Sequence, residues 1–503
     1  MNSTVTIGSG LVVGVDAVAI AVEATVRSAA DGTPRLLGLV DTCVREAYFR
    51  VLQAFFALEL PAPRGIITVN FAPAALKKHG SGFDLPLALA LAGAAGLFPA
   101  ERTRGLFAFG EVSLRGAILP ARGAVSVALA ARAHGAAAML AGPEDAALCR
   151  TVPGVDVRGA PTLADAVFWL AGRRELPPPP PAPAPAMPRV PDLADIRGHA
   201  TPKRALAVAA AGGHNLLFVG PPGSGKSALV RRLPGILPPP DAGERLEIVQ
   251  TYAAAGLPLP PPQQRPLRAP HHTSSTASLL GGGSDLRPGE VTLAHRGVLF
   301  LDELPEFRRD ALEAMRQPLE DGTVTVGRAL RTATMPARLQ LLAAMNPCPC
   351  GFRGHPRRPC LCPPPLVQRY HRRLSGPLLD RLDLQVEVPA LDPGEYRGPP
   401  EAHGATAPLA AAVAGAWQRQ RARNPAACRN AELDGDVLLR ACGPDAAALD
   451  ALDQVLRRQR GSGRMRVRLL RVARTLADLR GDDRVHAEDV LEAAALRGAA
   501  LET

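Results

Sequence analysis

The feature that most constrains this sequence is a short apolar run that leads into a glycine-rich turn and then into a helix-like pattern. Residues 216–219 are Leu, Leu, Phe and Val, and residues 228–233 continue with apolar side chains at helical spacing. The turn between them is Gly220, Pro221, Pro222, Gly223, Ser224, Gly225, Lys226 and Ser227. The spacing G-x-x-x-x-G-K-S in a strand–turn–helix context predicts a phosphate-binding loop. The middle of the chain is therefore expected to fold as an α/β structure around a parallel sheet.

Each residue type in this turn suits the binding of a nucleoside triphosphate. Glycines let backbone N–H groups approach the phosphates, and the start of the following helix adds its positive dipole end. Lys226 is expected to reach the β- and γ-phosphates, and Ser227 is expected to ligate Mg²⁺. The predicted cofactors are therefore ATP and Mg²⁺, bound by residues 220–227.

Two later apolar runs end in polar residues that would complete such a site. Residues 297–301 end at Asp302 and Glu303, and residues 339–345 end at Asn346. In a parallel sheet the carboxyl ends of the strands share one edge, where ligands bind. Asp302 is expected to hold Mg²⁺, Glu303 to act as general base on the attacking water, and Asn346 to orient that water.

A proline-rich run divides the chain. The 503 residues exceed one compact core, and the run PPPPPAPAPAMP predicts an extended linker over 177–189. A proline-rich loop packed on a domain is the alternative. Before it, residues 1–176 alternate strand-like and helical runs, which favours an α/β domain. After it, residues 190–395 are expected to form the nucleotide-binding core. The Ala-, Leu- and Arg-rich tail at 409–503 predicts a C-terminal helical lid.

Composition excludes several classes of protein. The longest uncharged apolar stretch, residues 85–100, is too short to cross a membrane, and the N-terminus lacks the basic flank of a secretory signal. Eight cysteines are too few for a disulfide scaffold. We therefore expect a soluble, cytoplasmic protein with no membrane partner. The formal net charge of +11 favours a polyanionic partner such as nucleic acid.

Longer strings carry a resemblance to one family. They include His271-His272-Thr273-Ser274, Gly281-Gly282-Gly283, Asn346-Pro347-Cys348-Pro349-Cys350-Gly351, Ser375-Gly376-Pro377-Leu378-Leu379-Asp380-Arg381 and Phe83-Asp84-Leu85-Pro86. With Lys226 in the Walker A position and Asp302 and Glu303 in the Walker B position, the chain resembles AAA+ ATPases of the magnesium-chelatase-like ComM/YifB family. The resemblance implies a P-loop AAA+ core and a hexameric ring. It also implies ATP-driven helicase activity and branch migration on branched or single-stranded DNA during natural transformation.

The resemblance also assigns roles to two arginines. Arg381 corresponds to the arginine finger that enters the neighbouring subunit's ATP site, where it neutralises charge on the γ-phosphate. A plain surface ion pair of Arg381 with Asp380 or Asp383 is the alternative. Arg464, which precedes a helical run, corresponds to sensor 2, with several other arginines close to it in the sequence.

Two basic segments are candidates for DNA contact. Residues 322–331 resemble the pore hairpin of related DNA helicases, so Arg328 and Arg331 are expected to contact the DNA backbone. A solvated hairpin without a ligand is the alternative. Residues 346–379 form a cysteine-rich loop that carries six arginines and no acidic residue, which places dense positive charge close to the core.

In this family the N-terminal region resembles the proteolytic domain of Lon, which uses a Ser–Lys dyad. At the corresponding positions, residues 83–87 contain no serine and residues 119–126 contain no lysine. Arg122 cannot replace the lysine, because arginine does not deprotonate in proteins. The region is therefore predicted to be a Lon-protease-like α/β domain without the catalytic dyad, and peptidase activity that depends on Ser81 would contradict this.

Four of the eight cysteines lie within fifteen residues of one another. Cys348 and Cys350 form one C-x-C pair, and Cys360 and Cys362 form a second. Reduced thiols with this spacing suggest a tetrahedral Zn²⁺ site, in which His355 could replace one ligand. The alternative is four unliganded cysteines in a proline-rich loop.

Two other functions stay open on the sequence alone. The ATPase subunit of a metal-inserting chelatase shares the nucleotide motifs, and so does a chaperone-like AAA+ remodelling ATPase that does not act on DNA. Stimulation of ATP hydrolysis by DNA is the measurement that separates these functions from a DNA motor.

Overall fold

The computed structural model describes residues 4–27, 33–283, 285–328, 331–391 and 405–498, and for residues 328 and 331 it describes the backbone alone. Within this described part, none of the helices has the length and apolar character needed to cross a membrane.

The N-terminal part is built on a mixed sheet. Its strands are β1 (Val5–Val13), β2 (Asp16–Arg27), β3 (Arg35–Leu37), β4 (Ile66–Ala72), β5 (Leu106–Ala108), β6 (Glu111–Val112), β7 (Ile118–Leu119), β8 (Ala138–Ala141) and β9 (Asp156–Gly159). Its helices are α1 (Thr42–Ala57), α2 (Asp84–Ala94), α3 (Ala124–Ala133), α4 (Pro143–Cys149) and α5 (Leu163–Leu170). The strand order is β3–β4–β2–β1–β5–β8–β9, while β6 and β7 pair separately. β2 is antiparallel to both β1 and β4, and the other neighbours in the large sheet are parallel.

The centre of this domain is α2, whose residues are apolar on nearly all sides and buried. Its first residue, Asp84, is fully buried, and Arg50 on α1 donates to both of its carboxylate oxygens at 2.9 Å. A buried carboxylate without a partner would be strongly unfavourable. The Arg50–Asp84 pair therefore fixes α1 against α2.

The middle part contains the parallel sheet that the sequence predicts. Its strands are β10 (Leu216–Val219), β11 (Leu267–Arg268), β12 (Gly281–Gly282), β13 (Arg287–Pro288), β14 (Val298–Leu301), β15 (Thr323–Arg328), β16 (Arg331–Pro336), β17 (Gln340–Met345) and β18 (Leu384–Glu387). Its helices are α6 (Ala200–Gly212), α7 (Lys226–Arg232), α8 (Ala242–Ala255), α9 (Thr276–Leu280), α10 (Glu290–Leu293), α11 (Arg309–Ala314), α12 (Arg316–Asp321), α13 (Pro364–His371) and α14 (Gly376–Leu379). The parallel sheet has the order β11–β14–β17–β10–β18.

The C-terminal part is helical, which confirms the prediction for this region. Its helices are α15 (Thr406–Arg423), α16 (Gly435–Cys442), α17 (Ala446–Arg458), α18 (Gly463–Arg480) and α19 (Ala487–Ala495). Their apolar faces share one buried cluster with α6 and β10 of the middle part. Within α18 the fully buried Arg474 pairs with Asp478 at 3.1 Å, and Arg423 of α15 reaches the same carboxylate at 2.6 Å.

Two connections join these parts. Residues 177–192, all of which the structure describes, contain neither helix nor strand. The predicted end of the core at residue 395 lies outside the described residues, and α15 begins shortly afterwards. The N-terminal domain also packs directly on the middle part, where the backbone N–H of Gly123 donates to Ala253 O at 3.1 Å.

Candidate functional site

Three neighbouring parallel strands bring the predicted nucleotide residues to one edge of the sheet. Val219 of β10 pairs with Met345 of β17, and Leu301 of β14 lies beside Ala343 of β17. The strands are fully buried because both faces of the sheet are covered, as their continuous apolar sequences require. The residues that follow the strands are Gly220, Asp302 and Asn346, so this edge collects a loop, a carboxylate and an amide.

The loop at 220–227 has the shape of a cradle for phosphate. Gly223 and Gly225 have φ of +77° and +92°, in the left-handed region that favours glycine. A Cβ on Gly220 would lie 2.1 Å from Val388 O, so only glycine fits there. Ser224 Oγ is buried with no hydrogen-bond partner among the described residues. Such an orphaned donor in a glycine loop at the start of α7 fits an anionic ligand.

Lys226 occupies the centre of the cradle. Its Nζ donates to Gly220 O at 2.7 Å, to Pro221 O at 2.9 Å and to Asn346 Oδ1 at 3.2 Å. Burial lowers the pKa of Lys226 to about 8, and the charges of Asp302 and Glu303 oppose that shift. The ammonium group is thus held by neutral acceptors that an anionic phosphate could replace.

Ser227 and Asp302 lie together beside the lysine. Ser227 Oγ donates to Asp302 Oδ2 at 2.5 Å, and the backbone N–H of Glu303 donates to Asp302 Oδ1 at 3.0 Å. Hydroxyl and carboxylate oxygens are the ligands that Mg²⁺ accepts alongside phosphate oxygens. The donor set therefore fits the Mg²⁺ that accompanies a bound nucleotide.

Glu303 has a partner that the sequence reasoning missed. Its φ of +54° turns the chain sharply after Asp302 and leaves the carboxylate half exposed. His272 Nδ1 lies 3.2 Å from Glu303 Oε2, and the His271 and His272 rings stack with centroids 4.1 Å apart. The sequence does contain a signal for this contact. The string at 271–274 follows β11, and β11 neighbours β14 in the sheet. Only the tertiary pairing of these strands brings His272 next to Glu303.

Arg381 and Arg464 lie together in a different place. Both line an open cleft of about 610 Å³, and none of the described residues that line it belongs to the 220–227 loop. Arg381 is paired with Glu320, and Arg464 Nη1 lies 3.7 Å from Asp380 Oδ2. The surface ion pair foreseen as an alternative for Arg381 thus exists, but with Glu320 rather than with Asp380 or Asp383.

Arg328 and Arg331 pair across the free end of a hairpin. Strands β15 and β16 are antiparallel, and Arg328 is the backbone partner of Arg331. The predicted hairpin is therefore present. The two arginine side chains and residues 329–330 lie outside the described residues.

The four clustered cysteines converge on one point. Their Sγ atoms all lie within 4.8 Å of one another, and Cys348 Sγ is 3.4 Å from Cys350 Sγ and 3.5 Å from Cys360 Sγ. Four thiolates bound tetrahedrally at about 2.3 Å would be separated by about 3.8 Å. A hydrogen bond from the backbone N–H of Phe352 is the main cause that lowers the pKa of Cys350 to about 6. The arrangement fits a tetrahedral metal ion.

His355 is not part of this group. Its Nδ1 accepts from the backbone N–H of Arg357 at 3.0 Å and from that of Arg358 at 3.1 Å. The cysteine loop lies against the nucleotide loop. Gly351 approaches that loop so closely that a Cβ on this residue would lie 2.5 Å from Pro222 Cδ.

Sequence profiles of known families match all three parts of the chain. The profile described as "Magnesium chelatase, subunit ChlI" matches residues 192–396. "Subunit ChlI of Mg-chelatase" matches residues 22–145, and "Magnesium chelatase, subunit ChlI C-terminal" matches residues 404–497.

Relatives that match nearly the whole chain identify its family more specifically than these profiles do. The chain is 38% identical over 487 residues to the uncharacterized protein YifB of Salmonella typhimurium, covering 96% of this chain and 95% of that protein. It is 38% identical over 470 residues to the competence protein ComM of Haemophilus influenzae, covering 92% and 91%. A shorter match, 30% identical over 105 residues, covers 20% of this chain and 14% of the DNA replication licensing factor MCM7 of Oryza sativa. The sequence resemblance is confirmed, and the chain belongs to the ComM/YifB family of magnesium-chelatase-like AAA+ proteins.

Proposed function

We propose that this chain is an ATP-driven DNA motor. It hydrolyses MgATP at the site around Lys226 and, as a hexameric ring, drives helicase activity and branch migration during recombination of incoming DNA in natural transformation. The observation that carries the proposal is the convergence of the 220–227 loop, Asp302, Glu303 and Asn346 at one sheet edge. A competence protein that covers nearly the whole chain and a partial match to a replication factor support DNA as the partner.

Different backbone and side-chain groups of this chain have different roles at the nucleotide. The loop N–H groups and Lys226 Nζ donate to phosphate oxygens, and Ser227 and Asp302 would hold Mg²⁺, which would neutralise charge on those phosphates. Glu303 orients the attacking water and accepts its proton, and Asn346 positions that water. The exposed carboxylate of Glu303 and the buried Lys226 suit these separate roles.

The cleft around Arg381 completes the site of a neighbouring subunit. Arg381 and Arg464 share this cleft away from the loop at 220–227 of their own chain, which supports a role across an interface. In a ring, Arg381 leaves Glu320 and pairs with the γ-phosphate bound by the next copy, where such a group is worth about 10³–10⁵ in rate.

The hairpin formed by β15 and β16 contacts DNA. Arg328 and Arg331 at its free end neutralise backbone phosphates, and six arginines in residues 346–379 add to the field. Binding of this kind reads the backbone rather than the bases, because phosphate contacts carry little sequence information.

The N-terminal domain is Lon-like in origin but does not cleave peptides. Ser81 lies in a short 3₁₀ turn before α2, and the corresponding dyad lysine is missing from 119–126. Lys78, the buried lysine of this domain, donates to Gly38 O and Pro73 O instead of to a serine.

The cysteine cluster binds one Zn²⁺ that holds the loop beside Pro222. We expect about one zinc per chain in protein purified without chelator, measured by mass spectrometry of metals. Replacing Cys360 and Cys362 by Ser removes the metal, whereas Cys428→Ser, at a half-buried cysteine outside the cluster, retains it. Zinc-free wild-type protein would contradict this assignment.

The decisive experiment combines ATP hydrolysis with a branched DNA substrate. We expect branched DNA to stimulate hydrolysis by wild-type protein and the protein to move a three-strand junction when ATP is present. Glu303→Gln should bind ATP and DNA but leave the junction in place, and Lys226→Ala should bind ATP weakly. Robust hydrolysis that DNA never stimulates would instead favour a chelatase-type or chaperone-like remodelling ATPase.

A further inference from the structure

The turn between β1 and β2 leaves the N-terminal sheet and enters the nucleotide-binding part. Val15, at the tip of this turn, is only 2% exposed. It belongs to the buried apolar cluster that contains Val324 of β15 and Met335 of β16. A residue of the first domain therefore helps to form the core beneath the hairpin of the second.

The backbone of this turn is fixed from two sides. Ser126 Oγ on α3 donates to Val15 O at 2.5 Å. Gln250 Nε2 on α8 donates to the same oxygen at 2.9 Å and to Asp16 Oδ1 at 3.0 Å. One anchor comes from the N-terminal domain and the other from the nucleotide-binding part, so the turn cannot shift without breaking a buried contact.

The turn approaches the hairpin closely. Gly14 has a φ of +66°, and a Cβ there would lie 3.0 Å from Met335 Cγ and 3.1 Å from Ala333 Cβ. Both neighbours belong to β16, and Met335 is the backbone partner of Val324 on β15. Met335 lies next to the base of the hairpin, and Ala333, the partner of Val326, lies about halfway along it, so neither contact is with the end that carries Arg328 and Arg331.

A hairpin of two strands needs such support. β15 and β16 form a sheet of their own in the described chain, and an isolated two-stranded hairpin is marginally stable in water. Its orientation therefore depends on what packs against its base.

We infer that the N-terminal domain positions the β15–β16 hairpin through the turn at Gly14 and Val15, so that this domain determines how the hairpin meets DNA. Val15 is a positioning residue, since it shares a buried cluster with Val324 and Met335 of the hairpin, while the arginines lie at the hairpin's free end. The DNA part of this inference rests on the proposed function, whereas the support of the hairpin does not.

Two readouts on the full-length protein test the inference. Val15→Ala should raise amide hydrogen exchange in 323–336 by about five- to thirtyfold, because a loss of 1–2 kcal/mol changes local opening by that factor. Exchange around the 220–227 loop and hydrolysis without DNA should stay unchanged. The DNA concentration for half-maximal stimulation of hydrolysis should rise several-fold.

Gln250→Ala provides a second variant with the same expected pattern, and Val18→Ala, at an exposed valine of β2, is the matched control.

The outcomes test separately whether the turn supports the hairpin and whether that support affects DNA contact. Hairpin exchange equal to that of Val18→Ala in both variants overturns the support of the hairpin. Faster exchange without any change in the DNA requirement overturns the role in DNA contact. If wild-type protein shows no response to DNA, the proposed function fails, while the exchange measurement still decides whether the turn supports the hairpin.

Discussion

Lys78 of the N-terminal domain and Lys226 of the phosphate loop are both buried, and both donate to backbone carbonyl oxygens. Burial lowers the pKa of each. Around Lys226, however, the acids Asp302 and Glu303 and the amide of Asn346 converge at an open sheet edge. For Lys78 no acidic side chain in the described chain opposes the shift. The same ammonium–carbonyl contact therefore holds structure in one region and is arranged for a ligand in the other.

The strongest test of this comparison is Lys226→Met. We expect ATP hydrolysis to fall below detection, because the phosphates lose their charged donor while Met fills the same space. The thermal midpoint of the protein without nucleotide should change little, because Gly220 O and Pro221 O lie at the open sheet edge, where water can replace the lysine as donor, whereas Lys78 is fully buried. Steady-state hydrolysis and a thermal melt measure both. Retained hydrolysis would place the nucleotide elsewhere.

Arg381→Ala tests whether the cleft serves a neighbouring subunit. We expect hydrolysis by the assembled protein to fall by about 10³-fold while each chain still binds ATP. Arg440→Ala, at an exposed arginine of α16, is the control and should behave like wild type. Mixing Arg381→Ala with Lys226→Met chains should restore part of the activity if the two groups meet across an interface. Absence of any restoration would argue for a site within one chain.

His272→Ala addresses the contact that sequence reasoning missed. We expect kcat to fall about tenfold, a rise of about 1.4 kcal/mol in the activation free energy, because Glu303 loses the imidazole that lies 3.2 Å from its carboxylate and orients it. KM for ATP should stay constant, since the contacts of Lys226 are untouched. His272→Asn retains a nitrogen donor and should recover most of the rate. His134→Ala, at an exposed histidine after α3, is the control, and an equal loss in both variants would refute the role.

Lys78→Met should have the smallest effect on hydrolysis and a clear effect on stability. We expect the free energy of unfolding to fall by about 1–3 kcal/mol, because Gly38 O and Pro73 O lose their buried donor. Hydrolysis per folded molecule should be unchanged. Chemical denaturation combined with an activity assay measures both, and loss of hydrolysis without loss of stability would contradict the structural role of Lys78.

Much of the nucleotide site could be predicted from the sequence. The loop at 220–227 is contiguous, and Asp302 and Asn346 each end an apolar strand, so parallel-sheet geometry alone predicts that they meet. The cysteine cluster could also be predicted from the sequence, because each C-x-C pair places two thiols close together through local geometry. The contact of His272 with Glu303 could not be predicted, since it requires β11 to lie beside β14. The chain order of these strands does not reveal that pairing.

The sequence by itself determined the elements whose physics is local: the phosphate loop, the apolar strands, the helical tail and the paired cysteines. Tertiary structure alone decided what depends on distant segments packing together. It placed Arg381 and Arg464 in a cleft apart from their own phosphate loop, set His272 against Glu303, and inserted Val15 beneath the hairpin. The physical reason is that side-chain spacing along a strand or helix is fixed by the backbone repeat, whereas contacts between domains depend on shape and burial that no local pattern encodes.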